Sequence, residues 1–334
     1  MGDSLIRVTP EGLFCEAGGF YIDPWLPVPR ALVTHAHGDH ARPGSAAYLC
    51  LADTAPFLRR RFVEFAPVVE SVSYGHRLRL GRTIVSFHPA GHVRGSAQIR
   101  VEADGEVWCV SGDYKRAADP TCAPFEPVRC NVFVTEATFA LPVYRWPSSA
   151  SIARDILDWW NENRTAGRPA VLFCYALGKA QRVLAELSAL TDRAVYVHGA
   201  VAAITDVYRA AGVPMVPTVA VADTAPRRSF AGELILAPES AMGSPWMRRF
   251  SEAETAFASG WMQLRGTRRR RALDRGFVLS DHADWNALLR TVRETGASRV
   301  LTTHGYSEVL ARYLSEAGLS AEPLVTRFEG EGDV

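Results

Sequence analysis

The segment His35-Ala36-His37-Gly38-Asp39-His40 puts four metal-ligating side chains into six residues. It runs straight on from the short apolar stretch Ala31-Leu32-Val33-Thr34, which reads as a buried strand. A fold that carries it must end a strand in a tight loop and gather imidazoles and a carboxylate there. Alternation along the loop puts His35 and His37 on one side and lets Asp39 and His40 turn toward a second position. Imidazole nitrogens with carboxylate oxygens suit zinc, manganese or iron. One histidine in such a place is usually an ordinary core residue, but that reading does not account for the whole cluster.

The rest of the chain gives this loop a large scaffold. Its 334 residues correspond to about two domains. With 48% apolar and 22% charged residues it has the material for a core that needs no disulfide staple. No run reaches about 18 uninterrupted apolar residues, so no spanning helix and no membrane partner is expected. Met1-Gly2-Asp3-Ser4 is not a basic region leading into an apolar block, so no secretory signal is expected. The six cysteines form no CxxC pair, which excludes a zinc ribbon or thioredoxin motif and makes a reduced, cytoplasmic chain the expectation.

Up to about residue 140 the pattern is short strands and tight turns. Strands are predicted at 5–8, 13–16, 20–23, 31–34, 83–87, 97–102, 107–111 and 132–135, with a hairpin across Asp104-Gly105. Helical spacing runs through 52–64. Beyond 142–147 the pattern changes to helix 152–163, strand 170–174, helix 179–190, strand 194–197, helix 201–211 and strand 234–237. Ser148, Ser149 or Ser151 is available as the first N-cap. This alternation predicts a parallel α/β unit. Strand 277–279, helix 285–294, strand 300–303 and helix 309–317 follow. The expected boundaries are 1–145, 146–276 and 277–334.

Charge follows the same division. The chain as a whole carries a net +1, but 146–276 holds 17 basic and 12 acidic residues against 20 and 24 elsewhere. Only Lys115 and Lys179 are lysines, and arginine is the side chain that grips phosphate bidentately. A basic middle beside an acidic remainder fits a phosphate-binding surface next to a cation site.

Six further motifs, one before this cluster and five after it, stand in a fixed order. Asp23 lies in Tyr21-Ile22-Asp23-Pro24-Trp25, His92 in Ala90-Gly91-His92-Val93-Arg94-Gly95-Ser96, and Asp113 in Ser111-Gly112-Asp113. Glu136 lies in Val134-Thr135-Glu136-Ala137-Thr138, His282 in Leu279-Ser280-Asp281-His282-Ala283-Asp284, and His304 in Thr302-Thr303-His304-Gly305. Together they resemble the metallo-β-lactamase superfamily, and Glu136, His282, His304 and the segment 146–276 resemble its β-CASP nuclease branch. Residues 21–25, 87–97, 135–146, 175–182 and 258–271 look most like the bacterial ligase-associated DNA exonucleases.

The resemblance implies an α/β fold, a metallo-β-lactamase αββα sandwich with an inserted α/β β-CASP domain. It implies two divalent metal ions, zinc or manganese. His35, His37 and His92 would hold the first, Asp39, His40 and His304 the second, and Asp113 would bridge them. Two such ions would supply an activated water for in-line attack on phosphorus. Asp39, His282 and Glu136 form the implied catalytic set, with His282 as general acid and Glu136 on its other ring nitrogen. Asp23 would orient a ligand histidine. The implied activity is DNA exonuclease action in repair on single strands or ends, in functional association with an ATP-dependent DNA ligase and a helicase. RNA processing is the alternative, because His304 matches the RNA-cleaving members. A thioesterase or lactonase would lack Glu136, His282 and the insert, and an inactive scaffold would not keep every ligand.

Three residues are candidate substrate contacts. Lys179 follows Gly178 at a predicted helix start, where backbone N–H groups can bind phosphate, although GxxxxGK[ST] is absent. Ser259 precedes Gly260 in a tight loop, and Arg268 opens a run of four arginines whose plain alternative is a solvated face. Trp261, Trp246 and Tyr175 are candidates for base stacking, whereas Trp159 and Trp160 suit a core. His88 suits a structural role beside His92, and His76 and His198 have no ligand partner in sequence. Ser280-Asp281-His282 contains triad residue types, but a triad is defined by geometry, not adjacency.

Overall fold

The structure, a computed structural model, describes residues 4–63, 68–264 and 273–326. It is mixed α/β and divides into two units, Met1–Arg145 with His282–Val334, and Trp146–Asp281. In the first unit, one sheet takes its strands in chain order: β1 (Arg7–Val8), β2 (Leu13–Cys15), β3 (Phe20–Ile22), β4 (Ala31–Leu32), β5 (Ala47–Leu51) and β6 (Val68–Val72). The β1–β2–β3 pairs are antiparallel and the pairs from β3 to β6 are parallel.

The second sheet of this unit is built from β7 (Leu78–Leu80), β8 (Thr83–Pro89), β9 (Ala97–Ala103), β10 (Glu106–Val110), β11 (Val132–Glu136), β18 (Arg299–Thr303) and β19 (Ser320–Pro323). Their spatial order is β19-β18-β11-β10-β9-β8-β7. The strands from β19 to β10 are parallel and the rest is an antiparallel meander. Side chains alternate along each strand, so each face has its own core. Trp108, Val110, Val132 and Val134 pack with Phe20, Ile22, Leu32 and Leu49 of the first sheet. Cys109 and Phe133 face the other way, onto Leu288 and Val292 of the helix Trp285–Thr295 and Leu310 and Leu314 of the helix Ser307–Glu316. Each large apolar side chain buried this way contributes roughly 1.5–3 kcal/mol. The first helix, α1 (Ala55–Arg61), buries Phe57 and Leu58.

The second unit is one wholly parallel sheet in the order β14 (Thr218–Ala220), β13 (Val195–Val197), β15 (Leu234–Ala237), β12 (Ala170–Phe173), β16 (Glu254–Ala258), β17 (Arg275–Phe277). Leu234 and Leu236 pack on α2 (Ser149–Thr165), α3 (Lys179–Ser188) and α4 (Gly199–Ala210), while Ile235 and Ala237 pack on Phe230, Phe250 and Met262. Burial on both faces explains why β12, β13 and β15 read as continuous apolar runs. Ser148 is the N-cap of α2, its side chain accepting from Ser151 N at 3.3 Å. No helix among the described residues is long and apolar enough to cross a membrane.

One expected boundary needs correction. The insert does not end at 276, because β17 completes its sheet and the division falls after Asp281. Several strands also gave no clear sequence signal. β16, Glu-Thr-Ala-Phe-Ala, is poor in β-branched residues, and β19, Ser-Ala-Glu-Pro, is a polar edge strand whose proline has no N–H to donate. Both form because a neighbouring strand supplies their hydrogen bonds. The Asp104-Gly105 hairpin is present, with both residues at positive φ (48° and 82°) and Ala103 opposite Glu106.

Candidate metal centre

The loop after β4 is anchored before it reaches its histidines. Asp23, buried at the end of β3, accepts from Thr34 N at 2.8 Å and from Thr34 Oγ1 at 2.5 Å. Its Oδ2 also lies 2.7 Å from His40 Nδ1. That contact turns the other edge of the His40 ring, Nε2, toward Asp113 Oδ2 at 3.4 Å. Asp23 adopts φ 42°, a conformation that non-glycine residues hold only when their surroundings demand it.

His35, His37, His92 and Asp113 form one group whose ligand atoms lie within 4.8 Å of one another. His37 Nδ1 is 3.1 Å from His35 Nε2 and 3.1 Å from His92 Nε2. Asp113 Oδ2 is 3.6 Å from His35 Nε2 and 3.8 Å from His92 Nε2. Burial, then the neighbouring histidines, holds His35 well below the ordinary imidazole range, so it is neutral, the form that ligates. The His92 loop is held by Ser96 Oγ, which accepts from His92 N and Val93 N.

Asp39, His40 and His304 form the second group. The His40 and His304 rings stack with centroids 5.1 Å apart. Burial works against a charge on His40, but the Asp113 and Asp39 carboxylates outweigh it and raise its pKa well above the usual range. Burial brings His304 down to about 4. His304 has φ 62°, and Gly305 after it has φ 45° with no room for a side chain. A Cβ there would lie 2.7 Å from the Ala137 carbonyl oxygen.

Beside both groups stands a buried dyad. His282 Nδ1 is 2.8 Å from Glu136 Oε2, and the other carboxylate oxygen, Oε1, accepts from Tyr114 N at 2.7 Å. The His282 ring lies 4.7 Å from that of His92 and 5.8 Å from Phe139. Burial raises the Glu136 pKa, partly offset by His282. Asp284, two residues on, is the N-cap of the helix Trp285–Thr295, accepting from Ala287 N.

The residues fit a pair of divalent cations. Donors bound tetrahedrally at about 2.0–2.1 Å sit about 3.3 Å apart, close to the spacings among His35, His37 and His92. Asp113 reaches both groups with Oδ2, while its Oδ1 is buried with no hydrogen bond. A carboxylate oxygen in that state is expensive without a cation beside it. Five histidines and two aspartates make a donor set that zinc and manganese both accept.

The expected substrate contacts fare differently. Lys179 is fully buried, its Nζ 3.4 Å from Asp281 Oδ2 and above the Tyr175 ring. Arg182 Nη1 holds the same aspartate at 3.2 Å and donates to the Ser280 carbonyl at 2.7 Å. Lys179 therefore presents no surface to a phosphate, and the expectation that it does is corrected. Ser259 is likewise buried, its Oγ capping the turn Gly260–Gln263 by accepting from Trp261 N. Arg268 lies outside the described residues. Trp159 and Trp160 are core residues. Ser96 belongs to the His92 motif, whereas Thr34 and Tyr114 act on carboxylates through a hydroxyl or a backbone N–H and leave no sequence signal of their own.

No protein-family profile matches the chain. It is 33% identical over 318 residues to a probable DNA ligase of Opitutus terrae, covering 93% of this chain and 30% of that protein. An RNase J-like protein of Methanocaldococcus jannaschii is 26% identical over 42% of this chain and 35% of its own length. Ribonuclease TTHA0252 of Thermus thermophilus is 27% identical over 49% of this chain and 44% of its own. The chain thus spans less than half the length of each of these relatives. A crystal structure of a protein of unknown function from Enterococcus faecalis V583 has a similar fold, with a TM-score of 0.61, 12% identity and coverage of 89% and 79% of the two chains. The RNase J-like protein and the Thermus thermophilus ribonuclease are named as nucleases, and the likeness to each falls on less than half of this chain.

Proposed function

We propose that the chain is a two-metal phosphodiester hydrolase that trims DNA ends in repair. The observation that carries the reading is Asp113 Oδ2 standing between two groups of buried ligands, with the Glu136–His282 dyad alongside. His35, His37, His92 and Asp113 would hold one cation, and Asp39, His40, His304 and Asp113 the other. A pair of zinc or manganese ions in these places supplies a water acidic enough to attack at neutral pH and charge to offset that on the phosphoryl oxygens. Asp23 keeps the His40 ring at its angle. Glu136 holds His282 by Nδ1 and favours its protonated form, so Nε2 is the atom that hands a proton to the leaving sugar oxygen.

DNA is favoured because the probable DNA ligase matches this chain over 93% of its length, whereas the ribonuclease relatives match less than half. The same likeness supports work beside a DNA ligase, with a helicase as the expected further partner. All six cysteines are free thiols, which fits the reducing cytoplasm. The second reading, RNA processing, is favoured by His304 and by the ribonuclease names among the relatives.

The test is cleavage of 5′-labelled single-stranded DNA against RNA of the same sequence, with manganese or zinc and with Asp39→Ala as the blank. Stepwise release from DNA with RNA spared is the expected result. Preferential RNA cleavage would establish the second reading, and cleavage of neither would sink both.

A further inference from the structure

Helix α1 ends in Arg59, Arg60 and Arg61, and cations at a helix C-terminus are what the macrodipole favours. Arg61 differs from its neighbours in its target. Its Nη1 donates to the Ala36 carbonyl at 2.7 Å and lies 3.4 Å from that of His37, both within the His35–His40 loop. Nη2 sits beside Gly38, 3.6 Å from the place a Cβ would occupy. The guanidinium is close enough to be attracted by the Asp39 carboxylate, and the residue is exposed. A guanidinium has five N–H donors in a planar fork, and the two carbonyls engage only one of its nitrogens. The fork is therefore fixed at the rim of the metal loop with donors left for an anion arriving from solvent.

We propose that Arg61 is a substrate-binding residue that grips a phosphate of the nucleic-acid strand next to the one being hydrolysed. This rests on the phosphodiester reading of the metal centre. Anchoring through Nη1 reduces the side-chain entropy lost on binding, and the bidentate match to phosphate oxygens gives the contact its direction. A cation here also offsets the repulsion that the nearby Asp39 carboxylate would otherwise present to a polyanion.

The experiment measures binding of a phosphorothioate single-stranded DNA to the metal-loaded protein by fluorescence anisotropy over a range of salt. Arg61→Gln should reduce the slope of log K against log salt by about 0.7, the share of one single-strand phosphate, and weaken binding several-fold. Arg61→Lys, which keeps the charge, should retain the slope. In cleavage, KM for DNA should rise far more than KM for bis(p-nitrophenyl) phosphate, which has no neighbouring phosphate. Metal content and thermal melting report whether the loop and the fold survive. An unchanged slope, or equal losses on both substrates together with lost metal, would overturn the proposal and leave Arg61 as a brace for the loop. If the slope depends on Arg61 but the wild-type chain cleaves no phosphodiester, the hydrolase reading fails and the contact stands. Cleavage with Arg61 silent has the opposite meaning.

Discussion

The chemistry at residue scale depends on side chains that hold other side chains. Glu136 is as buried as His282, and its second oxygen is committed to Tyr114 N, so the carboxylate cannot swing away from the ring. Glu136→Gln should keep both metals but remove the charge that stabilises the protonated imidazole. Turnover on DNA is expected to fall about 10²–10⁴-fold, with a much smaller loss on a nitrophenyl ester whose leaving group needs no proton. Equal losses on both substrates would assign the dyad a purely structural role. Asp23 serves His40 in a similar way, so Asp23→Ala should lower metal affinity by about 10–100-fold. Competition with a chromogenic chelator reads this directly, and unchanged affinity would count against His40 as a ligand.

At the scale of elements, strand ends and helix starts carry the positions that matter. β3, β4, β10 and β18 stop just before Asp23, the His35–His40 loop, Asp113 and His304, and β11 ends on Glu136 itself. Gly112 makes one such exit possible. At φ 55° it passes so close to Thr34 that a Cβ would meet Oγ1 at 2.6 Å. In the second unit, the start of α3 shows how a local pattern misleads. Gly178-Lys179 reads as an open phosphate-binding turn, but Asp281, 102 residues further on, folds over it and takes the charge. Asp281→Asn would take a carboxylate away from two buried cations, Lys179 and Arg182, and should cost about 3–5 kcal/mol of stability in urea unfolding. Lys179→Met should cost less, because Arg182 still pairs with Asp281. The reverse order would mean that Lys179 is the dominant partner.

At the scale of the whole molecule, the seven candidate ligands all lie in the unit Met1–Arg145 with His282–Val334, although His304 is separated from His35 by the entire insert. Metal should therefore stabilise that unit, by about 2.7 kcal/mol at a free-ion concentration a hundred times Kd. Hydrogen exchange with and without chelator checks the placement. Loss of protection is expected around 33–46, 90–96, 111–115 and 302–306, and not in the sheet of Trp146–Asp281. Loss centred on that sheet would put the cations elsewhere.

Much of this was legible in the order of residues. The cluster at 35–40, the strand-then-loop frames around His92, Asp113 and His304, and the α/β alternation after residue 146 are local patterns, set by periodicity, turn chemistry and ligand type within a few residues of one another. What those patterns could not decide was everything that depends on distance through space. The resemblance implied that Asp23 orients a ligand histidine and that Asp113 joins the two groups, but which histidine Asp23 serves, that Lys179 is closed off by Asp281, and that Arg61 turns from α1 to the His35–His40 loop are outcomes of packing. A sequence states which hydrogen-bonding and charged groups must be satisfied. Only the tertiary structure decides which of them meet, because burial removes water as a partner and leaves each group to the neighbour that the sheets bring within reach.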